Sequence, residues 1–187
     1  DGFITFIDEH KTELEQYFIL PGCKISGNIK KYIDKNTMTK LANEIGILCP
    51  KSFFVNKKTD VTTLVLTYPC LIKPSHQKPG HYNEFKFKIC KSESDLKHTL
   101  KFVRQDSEFI VQEYVQKERD LLIYGGRMFD GKTILAGAMI RDRFADSGSA
   151  SHGLMTNKIP NSVDINTISV FLERIDYYGL FSFEYGM

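Results

Sequence analysis

Tyr68-Pro69-Cys70-Leu71-Ile72-Lys73-Pro74 is the stretch on which the reading of this chain turns. A short apolar run ends in a single lysine held between two prolines. Such a run reads as a buried strand, whose interior cannot hold a bare ammonium without an anionic partner. A phosphate is a suitable partner for Lys73. A lysine that snorkels from a strand end to solvent is the alternative.

The segments on either side extend this reading. Upstream, Asp34-Lys35-Asn36-Thr37 opens a helix that runs to about Ile45. Met38, Leu41, Ala42 and Ile45 share one apolar face, and Gly46 supplies the C-cap. Ser52–Asn56 reads as a strand, and Asp60–Thr67 as a strand or a short helix. Further upstream, Phe3–Ile7 reads as a short strand, Asp8–Phe18 as a polar helix stopped by Pro21-Gly22, and residues 23–31 as irregular.

Downstream, Ser75–Asn83 is polar with Pro79-Gly80 as a turn signal, which predicts a loop. Phe85–Ile89 alternates apolar and basic side chains as a half-buried strand does. Ser92-Glu93-Ser94-Asp95 opens a helix striped by Leu96, Leu100 and Val103. Phe109–Val115 is a strong strand. Asp120–Phe129 and Lys132–Arg143 form a hairpin about Asp130-Gly131. Phe144–Lys158 shows no periodicity and reads as a long loop. A helix carrying Ile165, Ile168, Leu172 and Ile175 follows, then Gly179 and a last strand, Leu180–Tyr185. The fold class is therefore α+β, since strands and helices do not alternate as in a doubly wound sheet.

Composition narrows the function classes. With 187 residues and 42% hydrophobic content, the chain can build one core or two small ones. A net charge of +2 gives no bulk electrostatic case for nucleic acid or an anionic membrane. No apolar run approaches the roughly 20 residues that cross a bilayer. The start lacks the basic and apolar regions of a signal peptide. Cys23, Cys49, Cys70 and Cys90 form no C-x-x-C pair, so buried thiols in a reducing, cytoplasmic setting are expected. A zinc site from Cys70, His76, His81 and Cys90 matches no common ligand spacing.

Three features stand in order: Asp34-Lys35 at a helix start, Lys73 at a strand end before a polar loop, and Val111-Gln112-Glu113-Tyr114-Val115 before a hairpin. With Gly46-Ile47-Leu48-Cys49-Pro50 and Phe181-Ser182-Phe183-Glu184, this order resembles the ATP-grasp superfamily. The likeness is to its carboxylate–amine ligase branch, similar to carbamoyl-phosphate synthase large subunits and D-aspartate ligase. The resemblance implies a fold of two α+β subdomains that clamp a nucleotide. Residues 1–30 would be the tail of a preceding domain. Residues 31–112 would be the N-terminal lid subdomain with a linker helix, and residues 113–187 the first part of the C-terminal subdomain. A chain truncated at both ends and inactive alone is the matching expectation.

The resemblance also assigns roles. Lys35 and Lys73 would bind the ATP phosphates, and the Glu113-Tyr114-Val115 hinge the adenine edge, mainly through its backbone. Asp120 would accept from the ribose hydroxyls, with Glu118 as a competitor. Arg141 and Arg143 would face the terminal phosphate and an acyl-phosphate intermediate; a surface charge cluster with Asp142 is the alternative. Glu184 shares a strand face with Ser182, away from Phe181, Phe183 and Tyr185, and would ligate Mg²⁺. Exposed, solvated positions are the alternatives for Lys35 and Glu184. The loop after Lys73 departs from the family's glycine-rich lid. The implied activity is ATP-dependent joining of a small-molecule carboxylate and amine. A nucleotide-binding module without ligase activity is the alternative.

Overall fold

The structure, a computed structural model, describes residues 2–75, 85–105, 107–145 and 150–187. In chain order its elements are helices α1 (Gly2–Glu9) and α2 (Lys11–Leu14), strand β1 (Gly22–Cys23), helices α3 (Asn28–Ile33) and α4 (Lys35–Glu44), and strand β2 (Ser52–Asn56). After a 3₁₀ turn at Val61–Thr63 come strands β3 (Cys70–Pro74) and β4 (Lys88–Cys90), helix α5 (Glu93–Phe102) and strands β5 (Glu108–Glu113), β6 (Asp120–Arg127), β7 (Thr133–Phe144) and β8 (Ala150–Thr156). Helix α6 (Ile165–Arg174) and strand β9 (Tyr177–Gly186) complete the order.

The chain divides into two units: residues 1–49 with 117–187, and residues 50–116. The boundaries expected at 30/31 and 112/113 differ from this. Helix α4 carries Leu41 and Ala42 into the core beneath β6 and α6, so it belongs with the larger unit.

In the larger unit the described strands form an antiparallel sheet in the order β1-β9-β6-β7-β8. One face packs on α6 and α4. Leu121, Ile123 and Ala138 meet Ile168, Phe171, Leu172 and Ile175, with Phe181, Phe183 and Tyr185 packed alongside. Phe171 meets Phe183 edge-on, with ring centres 5.4 Å apart. Asp34 caps α4 by accepting from Thr37 N at 2.8 Å, and Asp164 caps α6 by accepting from Asn166 N at 2.9 Å. A bulge shifts the β6–β7 register at Tyr124/Gly125. A Cβ at Gly125 would lie 2.4 Å from Ile134 O and 2.5 Å from a Phe181 ring carbon, so only glycine lets these strands close.

The smaller unit pairs its described strands in the order β2-β5-β3-β4, all antiparallel. Helix α5 covers one face. Leu96, Leu100 and Val103 pack on Val55, Ile72, Phe109 and Val111. Ser92 caps α5 by accepting from Asp95 N at 3.1 Å. Cys70 and Cys90 face each other across β3 and β4 in this core. Burial pushes the Cys70 thiol up to about 11, with the neighbouring Cys90 adding to it. Burial likewise pushes Cys23 up to about 12. These groups stay protonated at neutral pH and serve as packing. His76 and His81 lie outside the described residues.

Three sequence expectations are corrected. Phe3–Ile7 is helical, not a strand. Its β-branched residues suggested extension, but Ile4, Ile7 and Asp8 share a helical face, and buried Asp8 accepts from Gly27 N at 3.0 Å. Residues 144–158 are not all loop, because β8 pairs with β7 there. β8 is an edge strand, exposed on both faces almost throughout, so no burial period marked it. Residues 23–31, read as irregular, include the end of β1 and the start of α3. No helix among the described residues is long and apolar enough to cross a membrane.

Ile72 is fully buried beneath α5. Ile72→Ala is expected to destabilise the protein by about 2–5 kcal/mol, read from the midpoint of chemical denaturation. A loss below about 1 kcal/mol would show that this core is not formed as described.

Candidate functional site

The larger unit gathers three candidate residues on one face of its sheet. Leu121, Ile123, Ala138, Ile140, Phe183 and Tyr185 belong to the α6 core. Strand alternation then sends Asp120, Leu122, Arg141 and Glu184 to the other face. In register, Asp120 pairs with Arg141, and Leu122 with Glu184. Arg141 Nη1 lies 3.6 Å from Glu184 Oε2, with the side chains 30% and 51% exposed. An ion pair this exposed contributes about 0–1 kcal/mol, so either member can exchange its partner at small cost.

Asp120 is buried, and Lys117 Nζ donates to its Oδ1 in a short ion pair. The Lys117 ammonium also lies 5.5 Å from the centre of the Phe144 ring. Lys117 was not singled out from the sequence. It precedes Asp120 by three residues in an irregular segment, where spacing does not announce a contact. Glu118, the competitor of Asp120, is exposed, and its N–H donates to Met187 O at 2.9 Å.

Arg143 stands apart from Arg141. A bulge pairs Arg141 with Gly153 and Arg143 with His152, leaving Asp142 without a register partner. His152 Nδ1 lies 2.6 Å from Asp142 Oδ1. This hydrogen bond, helped by the charges of His152 and Arg143, holds the Asp142 carboxyl below the usual range. An ionised carboxylate only accepts, so Nδ1 is the donor. His152 is a second residue the sequence did not single out, because it lies in the stretch read as loop.

Lys35 opens α4 and is exposed. Lys73 belongs to the smaller unit, where it pairs with Ile110. Ile72 points at α5, so half-buried Lys73 lies on the opposite face of the sheet. The run around Lys73 is therefore buried on one face rather than on both. Ser75 is buried, and both its N–H and its hydroxyl donate to Glu108 O, at 2.9 and 3.0 Å. The loop that follows, residues 76–84, lies outside the described residues. Glu113 ends β5, its N–H donating to Lys51 O at 2.9 Å, and Glu113, Tyr114 and Val115 are exposed. Among the described residues, no three His, Cys, Asp or Glu side chains cluster as a metal site.

No protein-family model matches the chain. Solved structures share its fold. An L-amino acid ligase from Bacillus licheniformis aligns with 98% of this chain and 42% of its own, at a TM-score of 0.70 and 10% identity. An N5-carboxyaminoimidazole synthetase from Staphylococcus aureus, complexed with ADP, aligns with 96% of this chain and 47% of its own, at 0.69 and 15%. The chain has the ATP-grasp fold.

Curated proteins are similar to this chain in sequence as well. A formate-dependent phosphoribosylglycinamide formyltransferase from Sulfurisphaera tokodaii is 28% identical over 145 residues, which is 72% of this chain and 36% of that protein. A D-aspartate ligase from Enterococcus faecium is 24% identical over 199 residues, 98% of this chain and 47% of that protein. The chain thus spans between a third and a half of the length of these relatives.

The Asp142–His152 pair carries a titration signature. Its folded value is depressed, so its stabilising effect is full above the unfolded carboxylate's range and is lost as pH falls through the folded value. NMR titration should find the Asp142 carboxyl titrating below ordinary carboxylates, and His152→Ala should return it to that range. An unchanged Asp142 curve in the variant would refute the hydrogen bond.

Proposed function

We propose that the protein bearing this chain is an ATP-dependent ligase, which joins a carboxylate to an amine through an acyl phosphate. The observation that carries this reading is the polar sheet face of Asp120, Arg141 and Glu184, set in an ATP-grasp fold. The names of the similar proteins support it, several being ligases and one neighbour holding ADP.

In this reading residues 50–116 are the lid subdomain, and Lys73 and Lys35 hold the ATP phosphates. Lys35 sits in the first turn of α4, where a cation opposes the helix dipole and an anion is favoured. Such a placement suits a lysine that serves a phosphate better than one that serves its helix. The backbone of Glu113, Tyr114 and Val115 reads the adenine edge. Asp120, positioned by Lys117, keeps lone pairs for the ribose hydroxyls.

Arg141 is a planar, permanent cation whose present partner is only weakly held, so it can turn to the transferred phosphoryl group and the acyl phosphate. Arg143 lies farther along the same strand and supports the same charge. Glu184 fits Mg²⁺, since this ion takes one or two carboxylates and completes its shell with phosphates and water. Bound there, Mg²⁺ would offset charge on the phosphates. The substrates are small molecules, and the four free cysteines agree with a reducing cytoplasm.

Calorimetry with ATP and Mg²⁺, together with assays of carboxylate-dependent ADP release, tests this. Lys73→Ala and Lys35→Ala should each weaken ATP binding about 10- to 100-fold, the worth of one charge-assisted contact. ATP binding untouched by both substitutions overturns the reading. Tight binding without phosphoryl transfer to any carboxylate would leave a nucleotide-binding module.

A further inference from the structure

We infer that the carboxylate substrate carries an apolar side chain, received by Met139, Met155 and Tyr124 beside Arg141. The assignment rests on the ligase reading above and names a substrate class for it. The sheet face opposite α6 is charged only at one end. Two residues along β7 from Arg141, Met139 pairs with Leu122 on β6 and with Met155 on β8. Two residues along β6 from Leu122, Tyr124 pairs with Ser182. Residues paired across a sheet, or two apart along a strand, share a face. These side chains therefore lie on the face that holds Asp120, Arg141 and Glu184.

Side-chain contacts agree with this placement. A Cβ on Gly153 would lie 3.1 Å from Met139 Sδ and 3.5 Å from Arg141 Cγ, so the thioether and the arginine stem both lie over the bare backbone of Gly153. The Tyr124 hydroxyl donates to the same sulfur at 3.9 Å. Met155 is 60% exposed, so its side chain is available to a ligand. Farther along the face, Leu180 and Ile134 are exposed too, and a Cβ on Gly126 would lie 3.7 Å from Leu180 Cδ2. From Glu184 to Leu180 the face extends about 13 Å, four residues of β9. Residues 121–126, 134–140 and 177–183 include no charged side chain.

Charge complementarity names the occupant. Arg141 suits an anionic head, and the surface that begins beside it suits an apolar body, so the ligand that satisfies both is an acid with an apolar side chain. The nucleotide is assigned to the Asp120 end of β6, which leaves this stretch to the acid being activated. The hydroxyls of Tyr124 and Ser182 can hydrogen-bond but carry no charge. A second charge on the substrate would lose hydration here without gaining a counter-ion. Methionine is unbranched and polarizable and fits apolar shapes of several kinds. The surface thus selects a class of acid rather than one member of it.

The test gives the full-length protein ATP, Mg²⁺, hydroxylamine and one D- or L-amino acid at a time. Hydroxylamine displaces phosphate from an acyl phosphate, and the hydroxamate formed is measured. Leucine or phenylalanine should exceed glycine in kcat/KM by about 10-fold or more, the worth of filling an apolar pocket. Both should exceed aspartate, glutamate and lysine by a larger factor. Met155→Lys, at an exposed edge-strand position, should lower the leucine-to-aspartate ratio about 10-fold or more, whereas Met155→Leu should keep it. Methionine methyl NMR gives a reading independent of turnover. With a non-hydrolysable ATP analogue and Mg²⁺ present, leucine should shift the Met139 and Met155 signals and leave that of Met38, on α4, in place. Equal use of leucine and aspartate, or a ratio unmoved by Met155→Lys, overturns the apolar pocket and leaves the ligase reading standing. Hydroxamate from no carboxylate at all overturns the ligase reading and the pocket together.

Discussion

The two-residue alternation of three neighbouring strands, β9, β6 and β7, is the constraint on which the rest of the larger unit depends. Leu121 and Ile123 are 3% and 0% exposed beneath α6, and each keeps about 1.5–3 kcal/mol of burial only in this register. A slip of one residue would turn that apolar set to water and bring Asp120, Arg141 and Glu184 into the core. The polar face is therefore aligned by packing on its far side. The Arg141–Glu184 pair is too exposed to hold the register itself. This separation leaves the polar groups able to change partners without loosening the sheet.

Much of this was legible because it follows short periods and local chemistry. Phe181, Phe183 and Tyr185 alternate with Ser182 and Glu184, and both the strand and its two faces are as that pattern says. Asp130-Gly131 joins β6 to β7, and Asp34 and Ser92 cap the helices that follow them. What escaped was set by contacts distant in sequence. Helix α1 takes its buried face from Gly27 and its neighbours, which override the extended preference of Ile4, Thr5 and Ile7. Strand β8 is held by backbone pairing to β7 and buries almost nothing, so no pattern of side chains records it.

The candidate site was legible in its residue types and less so in its grouping. Asp120, Arg141 and Glu184 do share a face. The bulge at Asp142, which gives Arg143 a different partner from a regular continuation, is a backbone event with no residue signature. Lys117 and His152 were invisible for a related reason: each is defined by one contact made in an irregular or edge segment. Helix α4 follows its apolar face, Leu41 and Ala42, into the larger core, and the compact units accordingly divide at 49/50 and 116/117, a long-range outcome that no local pattern records.

Residues 50–116 start on β2 and finish on β5, two strands that run antiparallel side by side, with Lys51 and Glu113 joined by a backbone hydrogen bond at 2.9 Å. The segment leaves and rejoins the remainder of the chain at nearly the same point. An insert whose ends meet asks no stretching of its host. Such a module can be lengthened, exchanged or remodelled over evolutionary time while the framework that receives it keeps its own register.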